Sequence, residues 1–220
     1  MLRTKRLSLR GALATKQSVA KLGLDCFAML AMTALFLSAC SFSRDGGYSR
    51  QFALKPAHVA SGQYRKGYQS LKVRLPSATP ELDTDRIALV QFGGRQDYIA
   101  NAKWADFLPV LVQSALVQSF AASGRYANVM ADDTPTATRY VLATDIEHFE
   151  IQMASGVAPA IARIRLRVKL LPGGSSRVLH EEVLEISRPV HEGGLFNMMR
   201  ALDGAFGEVQ SQAIAKMGPR

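Results

Sequence analysis

The chain has 220 residues, with 27 Lys and Arg against 18 Asp and Glu and a formal net charge of +9. The surplus is lopsided: residues 1–39 hold six cations against Asp25 alone, which leaves 21 basic and 17 acidic residues after them. Nucleic acid is thereby excluded as the expected partner, because a binder of that class needs a clustered basic surface with aromatic or motif support, and no RRM, KH or zinc-finger pattern is present.

The first element is a leader. Arg3, Lys5, Arg6, Arg10, Lys16 and Lys21 precede an apolar run from Cys26 to Leu37, interrupted only by Thr33. A positive segment, an apolar segment and a small-residue site make a secretory signal, and this run falls short of the roughly 20 apolar residues of a membrane span. Leu37, Ser38 and Ala39 stand directly before Cys40 and read as a lipobox, which makes Cys40 the residue that carries palmitate-type acyl chains. The expected division is a leader over 1–39, a lipidated tether over 40–50 and one folded domain over 51–220, a size within the usual range of roughly 50 to 250 residues. Cys26 and Cys40 are the two cysteines. One leaves with the leader and the other is acylated, so no thiol remains for a disulfide, a nucleophile or a metal site.

Ser41 to Arg50 is polar and glycine-containing, as suits a tether. Phe52–Leu54 predicts a short strand stopped by Pro56, and Gln69–Leu75 alternates as a strand up to Pro76. Ser77 to Asp85 reads as a loop into the apolar strand Ile87–Phe92, which Gly93 and Gly94 turn. From Trp104 the spacing of Leu108, Leu111, Ala115, Leu116 and Phe120 predicts a helix, with Pro109 in its first turn and Gly124 as its stop. Tyr126–Met130 then returns as a strand.

Two long strands follow over Arg139–Ile151 and Ala160–Leu171. In the second, Ala160, Ala162, Ile164, Leu166, Val168 and Leu170 face one side, and Arg163, Arg165, Arg167 and Lys169 face the other. A turn at Pro172–Ser176 sends Arg177–Ser187 back as a third strand. After Gly193-Gly194, the spacing of Leu195, Met198, Met199, Leu202, Phe206, Val209 and Ala213 predicts a closing helix. Two helices on a mixed, largely antiparallel sheet make an α/β domain at the border of α+β.

Candidate chemistry is sparse. The stripe Arg163, Arg165, Arg167, Lys169 suits an anionic contact such as lipid phosphate, but cross-strand pairing with Glu181, Glu182 and Glu185 is the favoured reading. His180-Glu181-Glu182 lacks the second histidine of a zinc helix. Asp145, Glu147, His148 and Glu150 alternate between faces, so meeting at one ion would require a bulge. No metal site is expected, and solvated sheet surface is the favoured reading of both clusters. Trp104 with Phe107 and the pair Met198-Met199 suit a lipid groove, yet core packing is favoured for them too. No Gly-x-Ser-x-Gly elbow, Walker A loop or dinucleotide fingerprint is present, so no cofactor is expected.

With the lipobox ahead of them, Phe52-x-Leu54-x-Pro56, Arg86-Ile87-Ala88, Tyr98 with the Trp104 segment NAKWADFLPVLVQSALVQSFAASGRY, LATDIEHFE and NMMRALDGAFGEVQSQAIAKM carry a resemblance. In that order they are similar to the ABC-type transport auxiliary lipoprotein family, the lipoprotein partners of MCE-type lipid transporters. The resemblance implies a non-enzymatic, periplasm-facing lipoprotein that works with an MCE-domain protein and an inner-membrane permease and ATPase to move phospholipid. It further implies a fold similar to the anticodon-binding or TolB N-terminal type, a homo-oligomer, and, from Ser41 after the acylated cysteine, an outer-membrane location. The competing expectations are a structural envelope lipoprotein, an accessory of another secretion complex, and an envelope hydrolase using His148 or His180.

Overall fold

The computed structural model describes residues 49–218 apart from 61–62, 134 and 156–158. Strand β7 (Tyr140–Gln152) organises the sheet, because its two edges are used differently. One edge is covered along its whole length by antiparallel β8 (Ile161–Pro172), and β9 (His180–Pro189) pairs with β8 beyond it. The other edge is shared by three short parallel partners in succession: β2 (Ser70–Val73), β3 (Ser77–Ala78) and β4 (Arg86–Val90). β6 (Asn128–Ala131) extends the sheet from β2, while β5 (Gln96–Trp104) and then β1 (Arg50–Phe52) extend it from β4. The result is a nine-stranded mixed sheet. Its long ladders are antiparallel, and its parallel ones run over two to four residues.

Helix α1 (Leu108–Ser123) packs on β2 and β6, and α2 (Leu195–Lys216) packs on β7, β8 and β9. Pro109 sits in the first turn of α1, where an N–H would have no helical acceptor. Gly124 ends that helix in the left-handed region at φ 67°, its N–H donating to the Ala121 carbonyl. Both helices join one core with the sheet, in which Phe149 of β7 meets Phe206 of α2 edge-on at 5.4 Å and Trp104 at 5.8 Å. Trp104 and Met199 therefore belong to the core, whereas Phe107 is exposed.

Two elements depart from the periodicity. β5 fills the stretch between the Gly93-Gly94 turn and the helix, and Trp104 closes that strand instead of opening the helix. The alternation of β5 is broken by Asn101, which holds φ 56°, and by a register shift between Arg86 and Ala88 on its partner. A bulged strand hides its own period-two signal. The two-residue β3 lies inside the expected loop, too short to show any pattern.

The chain leaving β1 is fastened by buried polar groups. The Ala57 N–H donates to Ser119 Oγ of α1 at 2.8 Å and to Gln210 Oε1 of α2 at 3.0 Å. Gln210 Nε2 donates back to the Lys55 carbonyl at 3.0 Å. Ser119 and Gln210 are wholly buried. Gln210→Leu leaves the wholly buried Ser119 hydroxyl without its acceptor and removes one of the two acceptors of the Ala57 N–H, and an unsatisfied buried polar group costs about 1–3 kcal/mol. Urea unfolding should show that loss, with faster amide exchange confined to Lys55 and Ala57, which flank Pro56.

Candidate functional site

The alternation of β8 places Ala162, Ile164, Leu166 and Val168 under the helices, fully buried, and leaves Arg163, Arg165, Arg167 and Lys169 on the outer face. Each of these cations meets carboxylates from the flanking strands. Arg163 pairs with Glu185 at 2.8 Å, and Arg165 reaches Glu185 and Glu147, each at 2.6 Å. Arg167 reaches Glu147 at 2.8 Å and Glu181 at 3.0 Å, and Lys169 reaches Asp145 at 2.8 Å.

Glu147 can bridge two arginines because β7 bulges there: Ile146 faces Leu166 and His148 faces Arg165, so Glu147 is the extra residue. A bulge leaves one residue unpaired in the ladder and re-aims its side chain. Glu147 thus turns to the outer face and divides its two oxygens between Arg165 and Arg167. The pairing partners differ from the sequence-based set: Glu181 and Glu185 are joined by Glu147 and Asp145 of β7, and Glu182 is not among them. Glu182 shares the inward-facing series of His180 and Leu184, and it binds Lys216 at the end of α2 at 2.9 Å.

The electrostatics of this face follow from the pairs. Hydrogen bonds from Arg165, and then from Arg167, hold the Glu147 carboxyl below its ordinary range. Arg163 and Arg165 do the same for Glu185. Partial burial would raise Asp145, but the Lys169 and Ser77 hydrogen bonds outweigh it and lower this group as well. A carboxylate depressed in the folded state adds stability above its unfolded pKa, and that contribution is lost as pH falls through the folded value. The denaturation midpoint should therefore drop on acidification below about pH 4.5. The Glu147→Gln, Glu185→Gln double variant should be less stable at neutral pH and show a shallower acid limb, which urea titrations at pH 3 to 7 would measure.

Beside the ladder, β4, β5, β7 and the segment after β3 border a groove of about 400 Å³, lined by Glu81, Tyr98, His148, Glu150 and Arg163 among others. Glu150 is 6% exposed, accepts from Gln152 Nε2 at 2.8 Å and lies 3.3 Å from His148 Nδ1. No group of three His, Cys, Asp or Glu able to hold a metal occurs among the described residues. The bulge that convergence of Asp145, Glu147, His148 and Glu150 would require is present, but it delivers Glu147 to arginines. His148 and His180 do not share a site. His148 is opposite the outward Arg165, whereas His180 is opposite the inward Leu170, five residues along β8, and pairs with Glu182 at 3.2 Å. Leu37, Ser38, Ala39 and Cys40 lie outside the described residues.

The family model described as ABC-type transport auxiliary lipoprotein component matches residues 52–215, which takes in every strand after β1, all of α1, and all but the last residue of α2. The chain belongs to the ABC-type transport auxiliary lipoprotein family. Among solved structures, this family member is similar to protein XCC0632 from Xanthomonas campestris, with a TM-score of 0.68 and 24% identity over 74% of this chain and 91% of that one. An uncharacterized protein of known structure matches with a TM-score of 0.60 and 11% identity, over 77% of this chain and 99% of that one. Both likenesses concern the fold alone. No curated protein matches the chain.

Proposed function

We propose that this auxiliary lipoprotein is a non-enzymatic, periplasm-facing component of an MCE/ABC-type phospholipid transport system, held at the outer membrane by acyl chains on Cys40. One observation carries the reading: a transport-auxiliary family domain begins at residue 52, twelve positions after the cysteine of a Leu-Ser-Ala-Cys lipobox. Acylation fixes the domain at a leaflet, since burial of each methylene contributes about 0.8 kcal/mol and two or more chains make the attachment durable. A tethered domain then meets a partner at high effective concentration, so a modest protein interface suffices for docking. Ser41 after the cysteine favours outer-membrane sorting, and a homo-oligomer would multiply the docking contacts.

The test is affinity purification of the full-length protein from membranes after mild cross-linking. Recovery of an MCE-domain protein, with its permease and ATPase in substoichiometric amounts, supports the proposal. Recovery of peptidoglycan-associated or secretion-complex subunits without an MCE protein overturns it.

A further inference from the structure

Val90, Gln152, Ile161 and Pro189 are successive register partners across β4, β7, β8 and β9. The connections that adjoin these residues therefore emerge from one end of the sheet. That end carries Phe92, 71% exposed, Met153 beside it, and Phe196 in the first turn of α2, 62% exposed. The Arg50 guanidinium lies 5.2 Å over the Phe196 ring and Phe52 meets the same ring edge-on at 6.2 Å, so the described domain begins at this end too. Arg200 borders a groove of about 430 Å³ here, together with Arg188, His191, Glu192 and Asn197. Arg188 binds Glu208 at 3.3 Å, whereas Arg200 has no carboxylate partner among the described residues.

We infer that this end of the domain rests on an anionic phospholipid leaflet, with Phe92 and Phe196 in the boundary between headgroups and acyl chains and Arg50 and Arg200 at the headgroup phosphates. The inference rests on acylation of Cys40, as proposed above. Two observations select a membrane over other occupants. Ten residues of fully extended chain span at most about 36 Å, so covalent connection keeps Arg50 within that distance of the acylated sulfur. The far end of the sheet, at the β8–β9 turn, is separated from this one by the length of β8, and its twelve residues at about 3.3 Å each span roughly 36 to 40 Å. The near end is thus the one a short tether presents to the leaflet. Its chemistry also fits, because aromatic side chains bracketed by cations are the composition of interfacial anchors on anionic lipid. Tyr68, Val178 and Leu179, also exposed, lie at the opposite end and point away.

Single cysteines test this directly, since the acylated protein would carry no other free thiol: Cys26 and Cys40 are the two in the sequence. F92C, F196C and V178C, each carrying an environment-sensitive fluorophore, are reconstituted in vesicles of phosphatidylglycerol and phosphatidylethanolamine with brominated acyl chains. Labels at 92 and 196 should be quenched at least threefold more than the label at 178. That difference should shrink when phosphatidylcholine replaces the anionic lipid. Equal quenching at the three positions, no quenching at any, or indifference to phosphatidylcholine overturns the inference while vesicle co-sedimentation leaves the anchor standing. Protein that stays in the supernatant overturns the anchor and the inference with it.

Discussion

Cys40→Ala should abolish incorporation of labelled palmitate and leave a folded protein that no longer supports transport. The loss is large because the attachment has no graded substitute. A single myristoyl-length chain gives an association constant of only about 10⁴ M⁻¹, whereas multiple chains bind durably, so removing all of them moves the equilibrium by orders of magnitude. The charge after Cys40 is too small to compensate, with 21 basic and 17 acidic residues. Among the described residues no helix is long and apolar enough to cross a membrane. Folding should survive, since the described core runs from Leu71 to Met217. Replacing residues 1–40 by an ordinary cleavable leader isolates the same effect: the domain should appear in the soluble periplasmic fraction with an unchanged circular dichroism spectrum. Palmitate label retained on the Cys40→Ala protein would refute the assignment of that residue.

Phe206→Ala should be the most damaging single change within the domain. Phe206 is fully buried on α2 and packs edge-on against Phe149 of β7, whose ring in turn packs against Trp104 of β5, so Phe206 is the α2 end of a chain of rings that ties the helix to both strands. Truncation removes the transfer energy of the ring and leaves a cavity that neighbours fixed in a sheet cannot fill, at a cost of about 3–5 kcal/mol. Edge-to-face contacts of this kind add about 0.5–1.5 kcal/mol beyond burial. Guanidinium unfolding should show a lowered midpoint with little change in slope. Phe206→Leu, which keeps most of the volume, should recover the larger part of the loss. An unchanged midpoint for Phe206→Ala would mean that α2 does not hold the sheet as described.

The sequence discloses this domain unevenly, for physical reasons that differ by element. β8 was legible residue by residue, because burial on one face only forces strict alternation between Ile164, Leu166, Val168 and the cations between them. α1 and α2 were legible from their spacing and from Gly124. β5 was not, since Asn101 at φ 56° and the offset opposite Arg86–Ala88 break its period. The outer face was half legible. Glu181 and Glu185 could be named as counterions by adjacency on the returning strand, but Glu147 reaches Arg165 and Arg167 only through a bulge that no propensity signals. Asp145 comes from the other flanking strand, and Glu182 faces the helix side, where Lys216 receives it. The Ser119–Gln210 clamp on residues 55–57 was invisible beforehand, because it joins positions separated by up to 155 residues.

The mass of the N-terminal peptide from the membrane-extracted protein tests the central claim most directly. A peptide beginning at Cys40 and bearing acyl chains is the predicted result. A peptide that starts elsewhere, or one in which the Cys40 sulfur is unmodified, contradicts the account.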